Sequence, residues 1–428
     1  MKVVIMAGGK GTRIASVASD IPKPMIPICG KPILEHQIMC LKDQGFQDFI
    51  IAVGHLGHMI EDYFMDGHAL GVNITYIKED IPLGTCGSLF YLKDDIKEDF
   101  LLINGDIIFD VDIKRFVDYH KDKNAWVTLF THPNNHPYDS AVIRADENGR
   151  VAEWLHKEDT RLYYKNRVNA GLHMISPKIF TLFEELRKTD LDRDILKPMI
   201  ATGNLFAYDS PEYVKDMGTP DRYHMVSEDI AMGHVRKKNL CNKQKAIFLD
   251  RDGTINEYKG FISNTDDFEL IDGVAEAISL INKEGYLVIV VTNQPVIARG
   301  ECSFDTLQEM HNKMETLLGE KGAYIDDIFY CPHHPDKGFE GERPEYKVQC
   351  ECRKPKPGML IEAAKKYNID LANSYMVGDS KSDVDAGNAA GCITVFLGME
   401  DDKEKVKNTL TYQNLLEFSY DLFSHKEN

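Results

Sequence analysis

The sequence predicts an α/β protein with two domains, each of them a mainly parallel β-sheet flanked by helices. The chain has 428 residues, which is longer than most single domains. Apolar runs of strand length alternate with stretches of helical period in both halves, which is the pattern of α/β domains. In each half, one short apolar run leads directly into a turn suited to phosphate, at residues 1–13 and 246–254. We therefore expect two cores and two sites on one polypeptide.

The predicted strands and domain boundaries follow from these patterns. A polar, basic segment, His234 to Lys245, separates the two halves. We predict a first domain at 1–235, a linker at 236–244, a second domain at 245–400 and a C-terminal tail at 401–428. The clearest predicted strands are Phe49 to Val53, Phe100 to Ile103, Lys245 to Leu249, Tyr286 to Val291 and Tyr375 to Val377.

The composition of the chain limits which partners and which cellular location we expect. The formal net charge is −18, which disfavours nucleic acid as a partner, because its phosphates require cations for neutralisation. No apolar stretch reaches membrane-spanning length, and the N-terminus runs into a strand without a signal-peptide pattern. We therefore predict a cytoplasmic protein with no membrane partner. Five of the nine cysteines are typical of reduced thiols: Cys29, Cys40, Cys86, Cys241 and Cys392.

The first turn reads Gly-Gly-Lys-Gly-Thr-Arg at 8–13. Glycines let backbone N–H groups approach phosphate oxygens, and a helix N-terminus adds positive potential. The turn is not the dinucleotide-binding motif Gly-x-Gly-x-x-Gly, because Ile14 stands at the last glycine position, and it is not a P-loop. Its candidate phosphate contacts are Gly8, Gly9, Gly11, Thr12 and Arg13.

Three charged residues of the first half are suited to phosphate and metal. Lys23 stands on a rigid Pro-Lys-Pro segment, where its ammonium group would meet a phosphate. Asp106 follows an apolar strand, at the sheet edge where α/β proteins bind ligands. Asp216 supplies a second carboxylate that would share a magnesium ion with Asp106. A further small-residue loop, at 83–88, suits close approach to a flat base through Gly84, Thr85 and Gly87.

Taken in order, these motifs closely resemble those of the sugar-1-phosphate nucleotidyltransferases over nearly all of the first half. The resemblance implies a Rossmann-like domain in which a sugar 1-phosphate attacks the α-phosphorus of a nucleoside triphosphate and pyrophosphate leaves. It also implies that Arg13 holds the outer phosphates, Lys23 holds the α-phosphate, and Asp106 with Asp216 holds Mg²⁺.

The sugar side of this site is implied by two further segments. Asn169 and Gly171 lie in an Asn-Ala-Gly run that looks like the family's sugar-contacting strand. Lys157 would bind the sugar phosphate. Where the family often has an acid before this lysine, the chain has His156, which is a departure in the sugar-recognition segment.

The second half opens on an Asp-x-Asp turn, with Asp250 and Asp252 at the end of an apolar strand. Alone, such a turn is also typical of a plain metal-binding or capping loop. Further polar groups then follow in a fixed order, several of them directly after later predicted strands. Because the carboxyl ends of parallel strands lie at one edge of a sheet, we expect these groups at one spot. These groups are Thr292, Asn293, Arg353, Lys354, Asp379 and Asp383.

This ordered set resembles the haloacid dehalogenase (HAD) superfamily of aspartyl-phosphate phosphatases, roughly from 245 to 397. The resemblance implies that Asp250 attacks phosphorus, while Asp252 protonates the leaving alcohol and then activates water. Thr292 and Lys354 would stabilise the transferring oxygens, and Asn293 and Arg353 would contact the substrate. The implied Mg²⁺ ligands are Asp250, the backbone carbonyl of Asp252, and Asp379, with Asp383 as a supporter.

Four residues between these motifs form a candidate zinc set: Cys331, His333, Cys350 and Cys352. Three thiolates and one imidazole make a closed tetrahedral set, with no position left for catalysis. We therefore predict a structural Zn²⁺ that braces the loop carrying Arg353 and Lys354. His334 is a competing candidate for the imidazole ligand.

The zinc loop narrows the resemblance to the histidinol-phosphate and heptose 1,7-bisphosphate phosphatase branch. The stretches 292–300 and 352–359 are similar to the heptose enzymes, with departures at Pro295 and Ser380. Together the two resemblances imply a route from D-glycero-D-manno-heptose 1,7-bisphosphate, through loss of the 7-phosphate, to a GDP-heptose made with GTP. The implied cofactors are Mg²⁺ at both sites and structural Zn²⁺, and the implied partners are small molecules. The resemblance also implies that this GDP-heptose feeds surface glycans such as capsule, lipopolysaccharide or S-layer sugars.

Two alternatives stay open from the sequence. One keeps both chemistries and changes the sugar, for example to mannose 1-phosphate beside a histidinol-phosphate-like phosphatase. The other makes the first half a non-catalytic, ligand-sensing module, although Arg13, Lys23, Asp106 and Asp216 are all present. The sequence also leaves a homo-oligomer open.

Overall fold

The structure of the protein is a computed structural model, and it describes residues 1–8, 20–399, 406 and 409–424. The chain folds into two compact units. The first consists of 1–132, 143–155 and 168–239, and the second consists of 133–142, 156–167 and 240–428. The change between units at Asn239 and Leu240 falls inside the segment predicted as a linker. The second unit also contains two segments that we had placed in the first domain from sequence, 133–142 and 156–167.

The first unit is built on a nine-stranded sheet in which β6, β1, β4 and β5 are parallel neighbours. β11 pairs antiparallel with β6 and with β8, and β12 pairs parallel with β8. β7 and β13 form a separate antiparallel pair, as do β2 and β3. The strands are β1 Val3–Met6, β2 Pro27–Ile28, β3 Lys31–Pro32, β4 Asp48–Val53, β5 Asn73–Lys78, β6 Phe100–Asn104, β7 Ile107–Asp110, β8 Val127–His132, β9 Val142–Ala145, β10 Val151–Leu155, β11 Val168–Ile175, β12 Leu205–Asp209 and β13 Tyr213–Asp216.

Helices of the first unit include α1 Ile33–Asp43, α2 Gly57–Phe64, α3 Ile113–Lys123, α4 Lys197–Met199, α5 Pro220–Ala231 and α6 His234–Lys237. β1, β4 and β6 lie in the centre, and their side chains join those of α1 and α3 in one buried core. The start of α5 is defined by sequence: the Thr219 side chain accepts from the Arg222 N–H, and Pro220 occupies the first helical position. Both are favoured there because the first turn has N–H groups without helical partners.

The second unit contains a six-stranded, fully parallel sheet in the order β16-β15-β14-β17-β18-β19. Its strands are β14 Ala246–Leu249, β15 Leu287–Asn293, β16 Asp327–Cys331, β17 Tyr375–Gly378, β18 Ile393–Leu397 and β19 Leu410–Tyr412. Its helices are α7 Val274–Lys283, α8 Phe304–Gly319, α9 Gly358–Tyr367, α10 Lys381–Ala390 and α11 Leu415–Ser424.

Successive residues of β14 lie in two different cores. Ile247 and Leu249 pack in one buried cluster, and Ala246 and Phe248 pack in another. A strand buried on both faces has to be apolar throughout, which explains the continuous apolar run. The α/β prediction, with mainly parallel sheets flanked by helices in both units, is confirmed.

Two segments from the first half of the sequence, 133–142 and 156–167, belong to the second unit. Arg167 forms a buried ion pair with Glu315 of α8, with Nη1 3.1 Å from Oε2. The Asn166 N–H donates to the same carboxylate, and Arg167 also donates to the carbonyls of Ile325 and Asp326. The segment 156–167 is thereby fixed to α8 and to the chain that enters β16.

Across the described ranges we find no helix with both the length and the apolar character needed to span a bilayer.

Candidate active sites

The turn 104–106 of the first unit carries Asp106 between β6 and β7. It is held from α1 by Gln37, whose side-chain N–H₂ donates to the carbonyls of Asn104 at 2.9 Å and Ile107 at 2.7 Å. Gln37 is buried, so it positions the turn from inside the protein. Sequence reasoning missed this residue, because a lone glutamine in an amphipathic helix carries no motif.

Asp106 pairs with Lys23, one of the residues predicted to handle phosphate. The Lys23 ammonium contacts Oδ2 of Asp106, and the lysine side chain is mostly buried. The structure therefore brings these two predicted residues together at the end of the central strands. In this conformation the lysine neutralises the carboxylate that was predicted to bind a metal.

Asp216, the second predicted magnesium ligand, lies beside Asp106. It is paired in register with Ile107 across β13 and β7, and the N–H of Met217 donates to the Asp106 carbonyl at 2.9 Å. Nη1 of Arg222 lies 2.7 Å and 2.8 Å from the two Asp216 oxygens. Arg222 was not predicted as a site residue, and its position three residues after the Thr219 cap is the signal that would have placed it there.

The predicted sugar-contacting strand approaches the same turn. Gly171 has φ +75°, and a Cβ there would lie 2.5 Å from Nδ2 of Asn104. Only glycine permits this approach. The pairing of β11 with β8 shifts register between Asn169 and His173, and burial lowers the pKa of His173 to about 4. Its neutral ring donates from Nε2 to Oδ1 of Asn169 at 3.0 Å.

The glycines of the loop 83–88 pack closely against the backbone of another segment of the protein. A Cβ on Gly84 would lie 2.4 Å from the Thr189 carbonyl, and one on Gly87 would lie 2.5 Å from the Arg187 carbonyl. The N–H of Thr85 also donates to the Thr189 carbonyl, at 3.0 Å. These glycines are therefore required by packing, and their contact with a base stays a prediction.

The remaining predicted residues of this site are Gly8, Lys157 and a group outside the described residues. Gly8 follows β1, and a Cβ there would lie 3.2 Å from the carboxylate of Glu79. Lys157 is exposed and belongs to the second unit, so it is not among the residues gathered in the first. The predicted contacts that lie outside the described residues are Gly9, Gly11, Thr12 and Arg13.

In the second unit, three parallel strands end at one edge and supply the predicted groups. Asp250 follows β14, Thr292 and Asn293 end β15, and Asp379 follows β17. Because neighbouring parallel strands have their carboxyl ends together, the sequence spacing places these side chains at one spot. In the structure these three strands are direct neighbours, in the order β15-β14-β17.

Lys354 lies between two carboxylates at this edge. Its Nζ is 2.8 Å from Oδ1 of Asp250 and 2.6 Å from Oδ1 of Asp383. Burial, together with the charge of Asp383, raises the pKa of Asp250 to about 7. Burial opposes the charge on Lys354, but the two carboxylates outweigh it and raise the pKa of the lysine.

Asn293 fixes the backbone of this lysine. Its Nδ2 donates to the Lys354 carbonyl at 3.1 Å, and the Lys354 N–H donates to its Oδ1 at 3.0 Å. Arg353 donates to the His333 carbonyl at 3.1 Å. We predicted substrate contacts for Asn293 and Arg353, and in the structure both make these contacts within the protein.

Three carboxylates form a candidate Mg²⁺ site: Asp250, Asp379 and Asp383 each offer an oxygen, and these oxygens lie within 4.8 Å of one another. Hard carboxylate oxygens suit Mg²⁺. Burial, together with the charge of Asp383, raises the pKa of Asp379 to about 6. Gly253 has φ +84°, and a Cβ there would lie 2.0 Å from Oδ2 of Asp379. Asp383, predicted as a supporter, therefore belongs to the cluster.

The side chain of Asp252 is not in that cluster. It is 3.0 Å from Nη2 of Arg251, 2.9 Å from Nε2 of Gln294 and 3.0 Å from Nδ2 of Asn256. This arrangement leaves the backbone carbonyl as the part of Asp252 that the resemblance assigns to the metal. Arg251, Gln294 and Asn256 were not predicted as site residues.

The predicted zinc residues form one compact cluster. The sulfur atoms of Cys331, Cys350 and Cys352 are 3.3–3.5 Å apart, and Nδ1 of His333 is 3.5 Å from Sγ of Cys352. Ligand atoms around one tetrahedral zinc lie roughly 3.8 Å apart, given Zn–S bonds of about 2.3 Å. The donor set therefore fits Zn²⁺. His333 is grouped with the three thiols, and His334 is not.

Known proteins match both halves of the chain. The nucleotidyl transferase family model matches residues 2–233, and a HAD-hydrolase-like model matches 351–415. D-glycero-β-D-manno-heptose-1,7-bisphosphate 7-phosphatases are similar to the second half. The Salmonella typhi enzyme is 48% identical over 161 residues, which are 37% of this chain and 82% of that protein. The Vibrio cholerae enzyme is 45% identical over 152 residues, 36% of this chain and 80% of that protein.

One solved structure was matched to part of the chain. HddC from Yersinia pseudotuberculosis has a TM-score of 0.48 and 29% sequence identity, and the match covers 54% of this chain and 99% of that one.

Proposed function

The chain belongs to the nucleotidyl transferase family and, in its second half, to the heptose-bisphosphate phosphatase family, and from this we propose that it is a bifunctional enzyme of GDP-heptose synthesis. It removes the 7-phosphate of D-glycero-D-manno-heptose 1,7-bisphosphate and transfers GMP from GTP to the resulting heptose 1-phosphate. The observation that carries the proposal is this pairing of families, because the phosphatase product is the sugar 1-phosphate that a nucleotidyltransferase consumes.

In the second unit, the phosphatase step begins at Asp250. A carboxylate oxygen of Asp250 forms a bond to the 7-phosphorus while the bond from phosphorus to the sugar oxygen breaks, and Asp252 gives its proton to that oxygen. Water then attacks the phosphorus of the aspartyl phosphate, Asp252 takes the proton, and phosphate leaves. Lys354, held by Asn293, neutralises the oxygens during both transfers.

The three-carboxylate cluster would hold Mg²⁺ through Asp250, Asp379 and Asp383, with the Asp252 carbonyl. When bound, this ion neutralises charge on the substrate phosphate. The cysteine and histidine cluster would hold Zn²⁺ in a structural role. Cys331 ends β16, and Cys352 stands two residues before Lys354, so the ion would brace the loop that carries the lysine.

In the first unit, an oxygen of the sugar phosphate attacks the α-phosphorus of GTP in line, and the bond to pyrophosphate breaks. This chemistry needs positioning and neutralisation more than an acid or base. Lys23 supplies a cation for the α-phosphate. Asp106 and Asp216 would hold Mg²⁺, which supplies neutralisation of the phosphates when bound. Asn169 and Gly171 would contact the sugar.

Phosphorus NMR of the full chain tests the proposal. The sample contains Mg²⁺, an equimolar mixture of the four nucleoside triphosphates, and either anomer of heptose 1,7-bisphosphate. We expect loss of the 7-phosphate signal, followed by the signals of a GDP-sugar, and the product identifies the accepted anomer. Unchanged bisphosphate, or another nucleotide in the product, would contradict the proposed sugar or the proposed base, respectively.

A further inference from the structure

Arg251 stands between the two aspartates of the Asp-x-Asp turn, and its side chain is completely buried. Its guanidinium contacts the Asp252 carboxylate three times: Nη2 lies 3.0 Å from each oxygen, and Nε lies 3.2 Å from Oδ1. Its backbone N–H donates to Oδ1 of Asp250 at 2.7 Å. One residue therefore contacts both aspartates, the first through its main chain and the second through its side chain.

Two amides complete the support of Asp252. Gln294 accepts from Nη2 of Arg251 at 3.1 Å, and its own N–H₂ donates to Oδ2 of Asp252 at 2.9 Å and to the Thr292 hydroxyl at 2.8 Å. Asn256 donates to Oδ1 of Asp252 at 3.0 Å. Both carboxylate oxygens are thus held from within the protein, and the network also reaches Thr292.

We propose that Arg251 is a positioning residue, which fixes the Asp252 carboxylate for proton transfer to the leaving oxygen. The inference rests on the proposed phosphatase function and deepens it. Because no part of the Arg251 side chain is exposed, it acts through Asp252 and not on the substrate. Its planar fork matches a carboxylate at two points, whereas a lysine would hold it at one and leave its rotation less restricted.

The Asp252 carboxyl group, held in this way, gives a proton in one step and takes one back in the next. The O–H bond of the Asp252 carboxylic acid breaks as its proton moves to the departing sugar oxygen, and the later attack of water returns a proton to the carboxylate. An acid must lie within hydrogen-bond reach of the atom that it protonates. A freely rotating side chain would occupy that geometry for only part of the time.

The test compares two leaving groups in Arg251→Lys. An alkyl oxygen, as in heptose 1,7-bisphosphate, needs the acid, whereas the oxygen of p-nitrophenyl phosphate leaves readily without it. The kcat/KM value reports steps up to formation of the aspartyl phosphate, before water is activated. We expect kcat/KM to fall about 10²-fold for the bisphosphate and less than about threefold for p-nitrophenyl phosphate, in line with the usual size of acid catalysis.

Control variants distinguish a loss of positioning from misfolding and from a lack of phosphatase activity. Arg161→Lys changes an arginine of the same unit that donates to the backbone carbonyls of residues 138 and 140 and lies over the ring of Tyr164. Both kcat/KM values should stay unchanged in this variant. Gln294→Met should show the same dependence on leaving group if Arg251→Lys does not fold. Equal losses for both esters, or no loss, would overturn the positioning role. A wild type inactive on both esters would instead overturn the phosphatase proposal.

Discussion

Lys354 and Asp250 are joined by a buried ion pair, with Nζ 2.8 Å from Oδ1 and 1% of the lysine side chain exposed. Asp383 holds the same ammonium from another element, at 2.6 Å. At this point of the candidate phosphatase site, two carboxylates share a single ammonium group. The stability and the activity of the site should both depend on this one lysine.

Lys354→Met should destabilise the metal-free second unit by about 3–5 kcal/mol, because two buried carboxylates lose their common cation. Phosphate release should fall by at least about 10²-fold. Calorimetry with and without Mg²⁺ measures the first effect, and Mg²⁺ should partly restore the unfolding temperature. A variant with wild-type stability in the absence of metal would contradict this account of the pair.

The two sites should be separable by single substitutions. Asp250→Asn should abolish phosphate release and leave nucleotidyl transfer from heptose 1-phosphate unchanged, because the nucleophile is lost only in the second unit. Asp106→Ala should lower nucleotidyl transfer by about 10²-fold or more and spare the phosphatase. Separate assays on each variant measure both activities. Loss of both activities from either change would argue against independent sites.

Arg222 should compete with metal for Asp216, since it contacts both carboxylate oxygens. In an Asp379→Asn background, which weakens the metal site of the second unit, Arg222→Gln should bind Mn²⁺ roughly threefold to tenfold more tightly without nucleotide. Titration followed by electron paramagnetic resonance measures free Mn²⁺. Arg222→Lys serves as the charge-conserving control and should lie closer to the parent. Weaker binding in Arg222→Gln would show that the arginine supports the metal site.

The zinc cluster should contain one Zn²⁺ per chain, measurable by elemental analysis. Cys350→Ser should release that zinc and lower the unfolding temperature of the second unit, because a structural metal stabilises only the folded loop. Nucleotidyl transfer should be unaffected. As a matched control, Cys392→Ser alters a buried cysteine outside the cluster and should retain zinc. A wild-type protein that is free of zinc would refute the assignment.

Glu315→Gln should destabilise the second unit by about 3–5 kcal/mol, since it leaves the buried guanidinium of Arg167 without its carboxylate. A fragment starting at residue 240 lacks Arg167 altogether and should be less stable than the second unit of the full chain. Denaturant unfolding of each protein tests both statements, with the exposed Glu309→Gln of the same helix as control. Equal stability of fragment and full chain would show that segments 133–142 and 156–167 contribute little.

Local patterns were sufficient to predict the α/β class and the edges where ligands would bind. Continuous apolar runs identify strands buried on both faces, and a polar residue directly after such a run must lie at the sheet edge. This logic found Asp106, Asp250, Thr292 and Asp379. The cysteine and histidine cluster was predicted because three thiolates and one imidazole at short spacing are the ligand types of a tetrahedral Zn²⁺ site.

The groups that contact these residues are shown by the folded structure and not by local pattern. Arg222 and Arg251 lie near their aspartates in the sequence, but local pattern does not show that their side chains turn toward those carboxylates. Gln37 holds the turn 104–106 from a distant helix, and no spacing pattern predicts that contact. The same holds for Arg167 and Glu315, which are 148 residues apart and pair inside a unit that the sequence had assigned to the second half alone. The strands and the polar groups at their ends could be predicted from local sequence, since both depend on neighbouring residues. The support of that chemistry depends on side-chain contacts, including contacts between distant residues such as Gln37 and Asn104, which form when the sheets and helices pack.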